Sequence, residues 1–307
     1  MDFFGGEPLL NWQVVKDLVA YGREQEKIHN KNFRFTLTTN GVLLNDEVQE
    51  FVNREMANVV LSIDGRKEVH DHMRPFRNGA GSYDLILPKF RKLADSRNQE
   101  KYYVRGTFTR NNKDFSEDVL HLADLGFKQI SVEPVVGTEE EDYALRAEDL
   151  PEIFAEYDRL AAEMVRRYRT DEEFTFFHFM LDLTGGPCVA KRLSGCGSGT
   201  EYLAVTPWGD LYPCHQFVGE EKYRMGNVDE GITRTDIREE FKNCNVYSKD
   251  TCRNCFAKFY CSGGCAANAY KFHGSINEAY EISCELERKR VECAIMIKAA
   301  QAEKEEQ

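Results

Sequence analysis

Residues 252 to 265 read Cys-Arg-Asn-Cys-Phe-Ala-Lys-Phe-Tyr-Cys-Ser-Gly-Gly-Cys, which places four thiols within fourteen residues. Cys284 follows after eighteen more residues, and Cys196 and Cys214 precede the array, with Cys188 nearby. All ten cysteines of the chain come after residue 187, whereas scattered structural disulfides would not segregate in this way. Four thiolates bind either a tetrahedral zinc ion or one iron–sulfur cluster. The spacing therefore predicts two metal or cluster sites and leaves zinc and iron–sulfur open.

Composition and charge limit the possible partners. The chain has 307 residues, of which 42% are hydrophobic and 30% charged, as in a folded protein of about two domains. Its net charge of -12 repels phosphate backbones and anionic lipid surfaces, so we expect neither a nucleic-acid partner nor a membrane. The sequence has no apolar run of about 18 residues and no signal-like start. We therefore expect a cytoplasmic protein, in which clustered thiols are more often metal ligands than disulfides.

The first part of the chain alternates strand-like and helix-like stretches. Strands are predicted at residues 1–4, 33–38, 58–63, 102–108 and 129–133. Amphipathic helices are predicted between them, from Pro8 to Glu26, from Asn45, after Ser82 and from Asp114 or Ser116 to Gly126, and a long helix runs from about 149 to 169. This alternation predicts an α/β fold with parallel strands.

The texture of the sequence changes beyond residue 181. Short pieces interrupted by glycine and cysteine follow, and a charged helix is predicted from about 283 to 305. Such pieces bury little apolar surface each, so bound metal is expected to supply stability. The predicted domains are therefore residues 1–181 and 182–307.

Three turns follow the first three strands and carry polar side chains. The first is Gly5-Gly6-Glu7-Pro8, in which glycine allows a ligand close to the backbone and Glu7 can accept from a cationic amine. The others are Thr38-Thr39-Asn40-Gly41 and Ser62-Ile63-Asp64-Gly65. Each is also compatible with an ordinary turn, but all three fall where α/β barrels carry their chemistry. Arg105 and Glu133 point to the same place, although each is also a candidate for a structural ion pair.

The cysteine pattern resembles the SPASM extension of radical S-adenosylmethionine (SAM) enzymes. The matching residues, in order, are Cys196, Gly209, Cys214, Cys252, Cys255, Cys261, Cys265 and Cys284. The resemblance implies two auxiliary four-iron four-sulfur clusters and makes zinc the weaker alternative. Cys196, Cys214 and Cys265, with Cys188 as the candidate fourth ligand, would hold the first, and Cys252, Cys255, Cys261 and Cys284 the second. Cys244 and Cys293 are expected to be ordinary buried thiols.

The turns of the first part resemble the S-adenosylmethionine site of the same enzymes. The resemblance implies a partial (β/α)6 radical SAM barrel lacking its first strand, apart from residues 1–4, and its cluster loop, followed by the SPASM domain. Gly5, Gly6 and Glu7 would meet the methionine amino group, and the other predicted contacts with this cofactor are Asn40, Ser62, Asp64 and Arg105.

One family motif is missing from the sequence. The family binds the cluster that cleaves S-adenosylmethionine with C-x-x-x-C-x-x-C, and no such motif occurs in residues 1–187. We therefore expect a truncated chain that is inactive alone. A third four-iron four-sulfur cluster is expected only in a full-length enzyme.

Four further stretches are similar to maturases of six-cysteines-in-forty-five (SCIFF) peptides. They are residues 3–8, 104–110, 130–135 and 261–268. The resemblance implies that a SAM-derived radical abstracts hydrogen from a ribosomally made, cysteine-rich precursor peptide. A peptide thiolate then forms a thioether, and the surplus electron leaves through an auxiliary cluster. An electron donor such as flavodoxin or ferredoxin is implied as a second partner.

Two other functions stay open. One is another radical modification, such as sulfatase maturation, whose enzymes carry an Asp base where this chain has His215. His215 is accordingly a candidate base or a hydrogen-bonding neighbour of the cluster. The other is a non-catalytic iron–sulfur or zinc module.

Overall fold

The computed structural model describes residues 1–138, 140–183 and 189–306. The chain divides into two compact units. The first comprises Met1–Pro134, Ala155–Met180 and Ala300–Gln307, and the second comprises Val135–Phe154 and Leu181–Ala299. No helix in the described ranges is both long and apolar enough to cross a bilayer.

A parallel sheet of six strands forms the first unit, with helices between the strands. The strands are β1 (Asp2–Phe3), β2 (Phe35–Thr39), β3 (Met56–Ser62), β4 (Tyr102–Phe108), β5 (Gln129–Pro134) and β6 (Thr175–Phe176). The helices are α1 (Trp12–His29), α2 (Asp46–Glu55), α3 (Lys67–Met73), α4 (Tyr83–Ser96), α5 (Phe115–Asp124) and α6 (Leu150–Arg167), which starts in the second unit. Each strand pairs in parallel with the next strand along the chain. The predicted α/β class is confirmed.

The observed sheet has one strand more than the sequence pattern predicts. The additional strand, β6, has only two residues, which is too short for an alternating pattern to be visible. Helix α3, of seven residues, is also absent from the prediction. The stretch predicted at residues 1–4 forms the edge strand β1, in which Asp2 and Phe3 pair with Thr36 and Leu37.

Alternation along β4 separates the core from the polar face of the sheet. Tyr102, Val104 and Phe108 are buried, whereas Arg105 is half-exposed on the other face. The Phe108 ring stacks on Phe115 of α5 with centroids 4.5 Å apart. The helices therefore cover the apolar face and leave Arg105 on the face that carries the polar turns.

The end of the described chain returns to the first unit. The Tyr168 hydroxyl donates to Glu305 (2.6 Å), and Arg169 pairs with the same carboxylate (3.2 Å). Lys304 Nζ donates to the Val165 carbonyl (2.6 Å). Residues 304 and 305 thus cap the region where α6 ends.

The second unit contains short strands and helices around one aromatic core. The strands form an antiparallel sheet in the order β10-β9-β8-β7, with β7 (Ala204–Val205), β8 (Asp210–Tyr212), β9 (Gly226–Asn227) and β10 (Gly231–Ile232). The helices are α7 (Val189–Ser194), α8 (Thr235–Asn243), α9 (Asp250–Arg253), α10 (Lys258–Cys261), α11 (Ala266–His273) and α12 (Glu281–Glu305), whose end lies in the first unit. Phe217, Tyr223 and Phe241 centre the core, so apolar burial holds these elements together in addition to any metal.

Gly65, in the turn after β3, provides a test of this packing. Its φ of 139° disfavours other residues, and a Cβ there would lie 2.2 Å from the Cβ of Asp118. The buried Asp118 carboxylate accepts from Arg66 N (2.9 Å) and Nε (2.8 Å). We expect Gly65→Ala to lower the free energy of unfolding by about 3 kcal/mol or more, because backbone strain and overpacking add.

The matched control is Gly79→Ala. Gly79 has a φ of 80° but open space around a Cβ, so we expect a loss of about 1–2 kcal/mol. The measurement is the urea midpoint of each variant. Equal losses in the two variants would contradict the tight packing of Gly65 against Asp118.

Candidate functional site

The turn after β1 joins the first two strands through Glu7. Glu7 Oε1 accepts from Leu9 N (3.0 Å) and Thr39 Oγ1 (2.9 Å), and Oε2 accepts from Asn40 N (2.7 Å). A carboxylate offers about four lone-pair positions, so one is left for an outside donor such as an ammonium group. The Glu7 carboxylate therefore has a structural role, because it joins the turn after β1 to the end of β2. Its predicted contact with an amine stays a prediction.

The two glycines before Glu7 leave space at the same turn. Gly5 and Gly6 have φ of 90° and 56°, and a Cβ at either position would have no atom within 4 Å. Asn40, at the end of β2, accepts from Val42 N (3.0 Å) through Oδ1, which closes the second turn. These turns can take a ligand against bare backbone, but the roles of the three residues as ligand contacts stay predictions.

Asp64 is the most deeply buried carboxylate at the end of β3, with 1% of its surface exposed. Arg74 Nε donates to its Oδ2 (2.7 Å), Arg74 Nη2 donates to its Oδ1 (3.0 Å), and Thr107 N also donates to Oδ1 (3.0 Å). Asp64 thereby links the β3 turn to β4. Its burial and internal bonds make Asp64 a structural residue of the sheet, and its predicted contact with a cofactor stays a prediction.

A buried histidine supports Asp64 from behind. Asp64 N donates to His70 Nδ1 (3.3 Å), so the proton of the neutral ring lies on Nε2, which faces Ser82 Oγ (3.0 Å). The Ser82 hydroxyl in turn donates to the Arg74 carbonyl (2.7 Å). Burial lowers the pKa of His70, with Asp64 raising it and Arg74 lowering it further. The network thus depends on a neutral His70.

Arg105 and Glu133 form an ion pair on the polar face of the sheet. Arg105 Nε and Nη2 donate to the two oxygens of Glu133, at 2.9 and 2.6 Å. Ser62 lies beside Arg105 in register, and Thr39 pairs with Leu61, so the ends of β2 and β3 lie beside the middle of β4. The structural ion pair considered for Arg105 is therefore present, and its contact with a cofactor stays a prediction.

The cysteines of the second unit fall into two electrostatic sets. In the first, burial raises the pKa of Cys214 to about 11, and the neighbouring Cys265 and Cys196 contribute to the rise. In the second, burial raises the pKa of Cys284 to about 11, with contributions from Cys252 and Cys255. These are the groups that the family resemblance implies.

Cys261 joins the second set. Burial raises its pKa to about 12, and Glu287, Cys284 and Cys252 add to the rise while a hydrogen bond from the Gly263 backbone opposes it. Arg288 Nη1 of α12 lies 3.9 Å from the Cys255 sulfur and donates to it. Thiols that raise one another's pKa repel one another once they are deprotonated. A cation or a bound cluster is needed to compensate the negative charge of the thiolates.

The donor chemistry of both sets fits iron–sulfur clusters. Cysteine thiolates are the usual ligands of such clusters, and none of the nine described cysteines forms a disulfide. Within residues 1–138, 140–183 and 189–306, no three His, Cys, Asp or Glu side chains are close enough to hold a single metal ion. Cys188 lies outside the described residues, so its ligation stays a prediction.

Three further side chains are located as follows. Cys293 is buried in α12, as expected, whereas Cys244 is only half-buried and donates to the Ile276 carbonyl (3.1 Å). His215 is exposed in a short turn after Cys214, and its role as a base stays a prediction.

Sequence reasoning did not identify three side chains of these sites. Arg74, His70 and Arg288 contact site residues ten, six and thirty-three positions away along the chain. No local spacing rule points to such partners, since they meet only through the tertiary fold.

Comparison with family models supports both parts of the chain. Residues 1–119 match the radical SAM superfamily, and residues 196–256 match SPASM, an iron–sulfur cluster-binding domain. The chain therefore has a radical SAM fold followed by a SPASM domain, which confirms the resemblance at this level.

Several curated proteins are similar over most of the chain. A cysteine-type anaerobic sulfatase-maturating enzyme of Clostridium novyi is 23% identical over 87% of this chain and 72% of its own length. The radical SAM cyclopropyl synthase TigE of Paramaledivibacter caminithermalis is 20% identical over 93% of this chain and 58% of its own. An uncharacterized protein of Archaeoglobus fulgidus is 28% identical over 89% of this chain and 64% of its own. The chain thus spans between 58% and 72% of these relatives' lengths.

A solved structure shares the fold. Native anSMEcpe with bound AdoMet and the Kp18Cys peptide matches with a TM-score of 0.77 and 19% identity, over 98% of this chain and 85% of that one.

The His70 network predicts a pH-dependent stability. An unfolded histidine takes up a proton near pH 6.5, whereas the folded protein resists protonation of His70, so unfolding binds a proton at lower pH. The stability due to neutral His70 is therefore present above about pH 6.5 and is lost as the pH falls. Urea unfolding between pH 7.5 and 5.5 should show a steeper loss in the wild type than in His70→Gln, by up to about 1.4 kcal/mol per pH unit.

The control is His72→Gln, which alters an exposed side chain of the same helix. It should keep the wild-type pH profile. Parallel profiles for wild type and His70→Gln would show that His70 does not contribute.

Proposed function

We propose that this chain is the SAM-binding and auxiliary-cluster part of a radical enzyme that oxidises a residue of a peptide or protein substrate, as in sulfatase maturation. The observation that carries the proposal is the separation of seven thiols into two sets, Cys196/Cys214/Cys265 and Cys252/Cys255/Cys261/Cys284. A chain that combines a SAM fold with two electron-accepting centres is suited to removing electrons from a substrate. The names of the sulfatase-maturating relatives and the peptide-bound related structure support the same class of reaction.

The cofactors supply the radical chemistry and the electron path. When bound, S-adenosylmethionine provides the radical that removes a substrate hydrogen atom, and iron–sulfur clusters carry single electrons. The chain's own residues shape the site. The Gly5-Gly6 turn exposes backbone, Glu7 keeps one acceptor position beside it, and the Arg105–Glu133 pair presents fixed charges on the same sheet face.

Thioether formation in a precursor peptide is the second candidate. The sulfatase-maturating relative and the cyclopropyl synthase reported above support sulfatase maturation or another radical modification better than the SCIFF assignment. One residue counts against sulfatase maturation and so keeps this candidate open, since position 215 holds His where sulfatase-maturing enzymes carry an Asp base. Under both proposals His215 is exposed beside Cys214, so it can exchange protons with substrate or solvent.

Iron content tests the cluster assignment. The chain, purified and reconstituted without oxygen, should bind about eight iron atoms, the content of two four-iron clusters. Cys255→Ser should lose about half of that iron and lower the thermal midpoint, because cluster binding contributes folding energy. Cys293→Ser is the matched control, because Cys293 belongs to neither set, and it should retain full iron. Stoichiometric zinc in place of iron would contradict the assignment.

Turnover tests the reaction itself. The chain alone should release no 5'-deoxyadenosine, whereas a form extended upstream to include a three-cysteine loop should release it under reducing conditions. The extended form is incubated with a cysteine-containing peptide such as Kp18Cys, and the product is analysed by mass spectrometry and thiol titration. Oxidation at one residue supports sulfatase-type maturation, and a reduction-resistant link between two residues supports the thioether alternative. The test is repeated with a serine-containing peptide. If neither peptide is modified, the proposal is contradicted.

A further inference from the structure

Lys249 is a buried lysine without a carboxylate partner. Only 3% of its surface is exposed, and in the described part of the chain no Asp or Glu forms an ion pair with it. Its ammonium group donates to the Gly263 carbonyl (2.9 Å), a bond that is itself buried. A buried ammonium group is costly unless an anion lies near it, so this position calls for a negative partner.

The groups around Lys249 are those of the thiol sites. A small pocket is lined by Lys249 together with Cys196, Cys244, Ser262, Gly263 and Gly264. Burial raises the pKa of the Cys244 thiol, while the charge of Lys249 and its hydrogen bond to that thiol oppose the rise. Lys249 also precedes α9, and its carbonyl accepts from Cys252 N (3.0 Å). The ammonium group therefore contacts the Cys244 sulfur and the Gly263 carbonyl, in a pocket that Cys196 also lines.

The loop that Lys249 holds connects the two thiol sets. Residues 262–264 join Cys261 of the second set to Cys265 of the first, and all three have positive φ, of 60°, 91° and 77°. A positive φ is sterically strained for Ser262, whereas glycine adopts it without this strain. The Gly263 N–H donates to the Cys261 sulfur while its carbonyl accepts from Lys249. Lys249 thus positions a strained loop on which both sets depend.

We propose that Lys249 is a positioning residue that raises the reduction potential of the cluster held by Cys196, Cys214 and Cys265. The inference rests on the proposed function, because it requires a cluster at this set. Reduction of this cluster adds one electron and neither forms nor breaks a bond. The reduced cluster is therefore more negative than the oxidised one. A fixed positive charge in a medium of low dielectric constant stabilises the more negative form. Lys249 therefore makes this cluster a better acceptor for an electron leaving the substrate.

Redox titration of the reconstituted chain, followed by electron paramagnetic resonance, tests the proposal. The signal of the cluster is assigned by its loss in Cys196→Ser. Lys249→Gln keeps a hydrogen-bond donor but removes the charge, so at the wild-type midpoint the ratio of oxidised to reduced cluster should rise at least threefold at unchanged iron content. Lys249→Arg keeps the charge and should leave the ratio unchanged. Lys242→Gln removes an exposed charge of the same unit and should also leave it unchanged, since solvent screens that charge.

Each other outcome has a distinct meaning. Full iron with an unchanged ratio in Lys249→Gln would overturn the inference. Loss of iron in Lys249→Gln but not in Lys249→Arg would also overturn it, because Lys249 would then act in assembly rather than on the potential. A wild-type chain that binds no iron would instead contradict the proposed function.

Discussion

The ion pair between Asp64 and Arg74 fixes the turn after β3, one of the turns at which the candidate cofactor site lies. Its carboxylate is buried, and it also accepts the Thr107 amide, so one side chain connects the turn after β3 with β4. The approach is close enough that a Cβ on Gly106 would lie 2.8 Å from the Asp64 Cα. A buried charge stays favourable only while such partners remain in place, and His70 and Ser82 support them through the Asp64 amide and the Arg74 carbonyl.

Local patterns in the sequence revealed the strands and the thiol spacing but not the partners of the polar residues. β4 and β5 are rich in β-branched and aromatic residues and lie where the pattern predicts them, whereas the two residues of β6 carry no period. Asp64 follows a strand as a ligand contact would, and its carboxylate also accepts hydrogen bonds from Arg74 and Thr107, which the sequence did not reveal. A polar residue at the end of a strand can contact either a ligand or other residues of the protein. Which of the two it contacts depends on residues that only the tertiary structure brings near.

In the second unit, too, the sequence revealed the candidate ligands but not the charged residues around them. The family resemblance, rather than spacing alone, implies that Cys265 belongs with Cys196 and Cys214, and these three thiols also affect one another electrostatically in the fold. The cations beside the sulfur atoms, Arg288 on α12 and Lys249 before α9, follow no spacing rule. They matter physically because thiolates crowded in a buried region repel one another, and positive charge offsets that repulsion.

Neither unit is one continuous piece of chain. The first unit includes residues 300–307, and the contacts of Glu305 with Tyr168 and Arg169 join positions 137 and 136 residues apart. During synthesis, Tyr168 and Arg169 therefore leave the ribosome long before their partner Glu305 exists. Contacts so distant along the chain close slowly, since a long loop must be ordered first. The contacts at the end of α6 can form only after the cysteine-rich segment has been made, which couples completion of the first unit to production of the second.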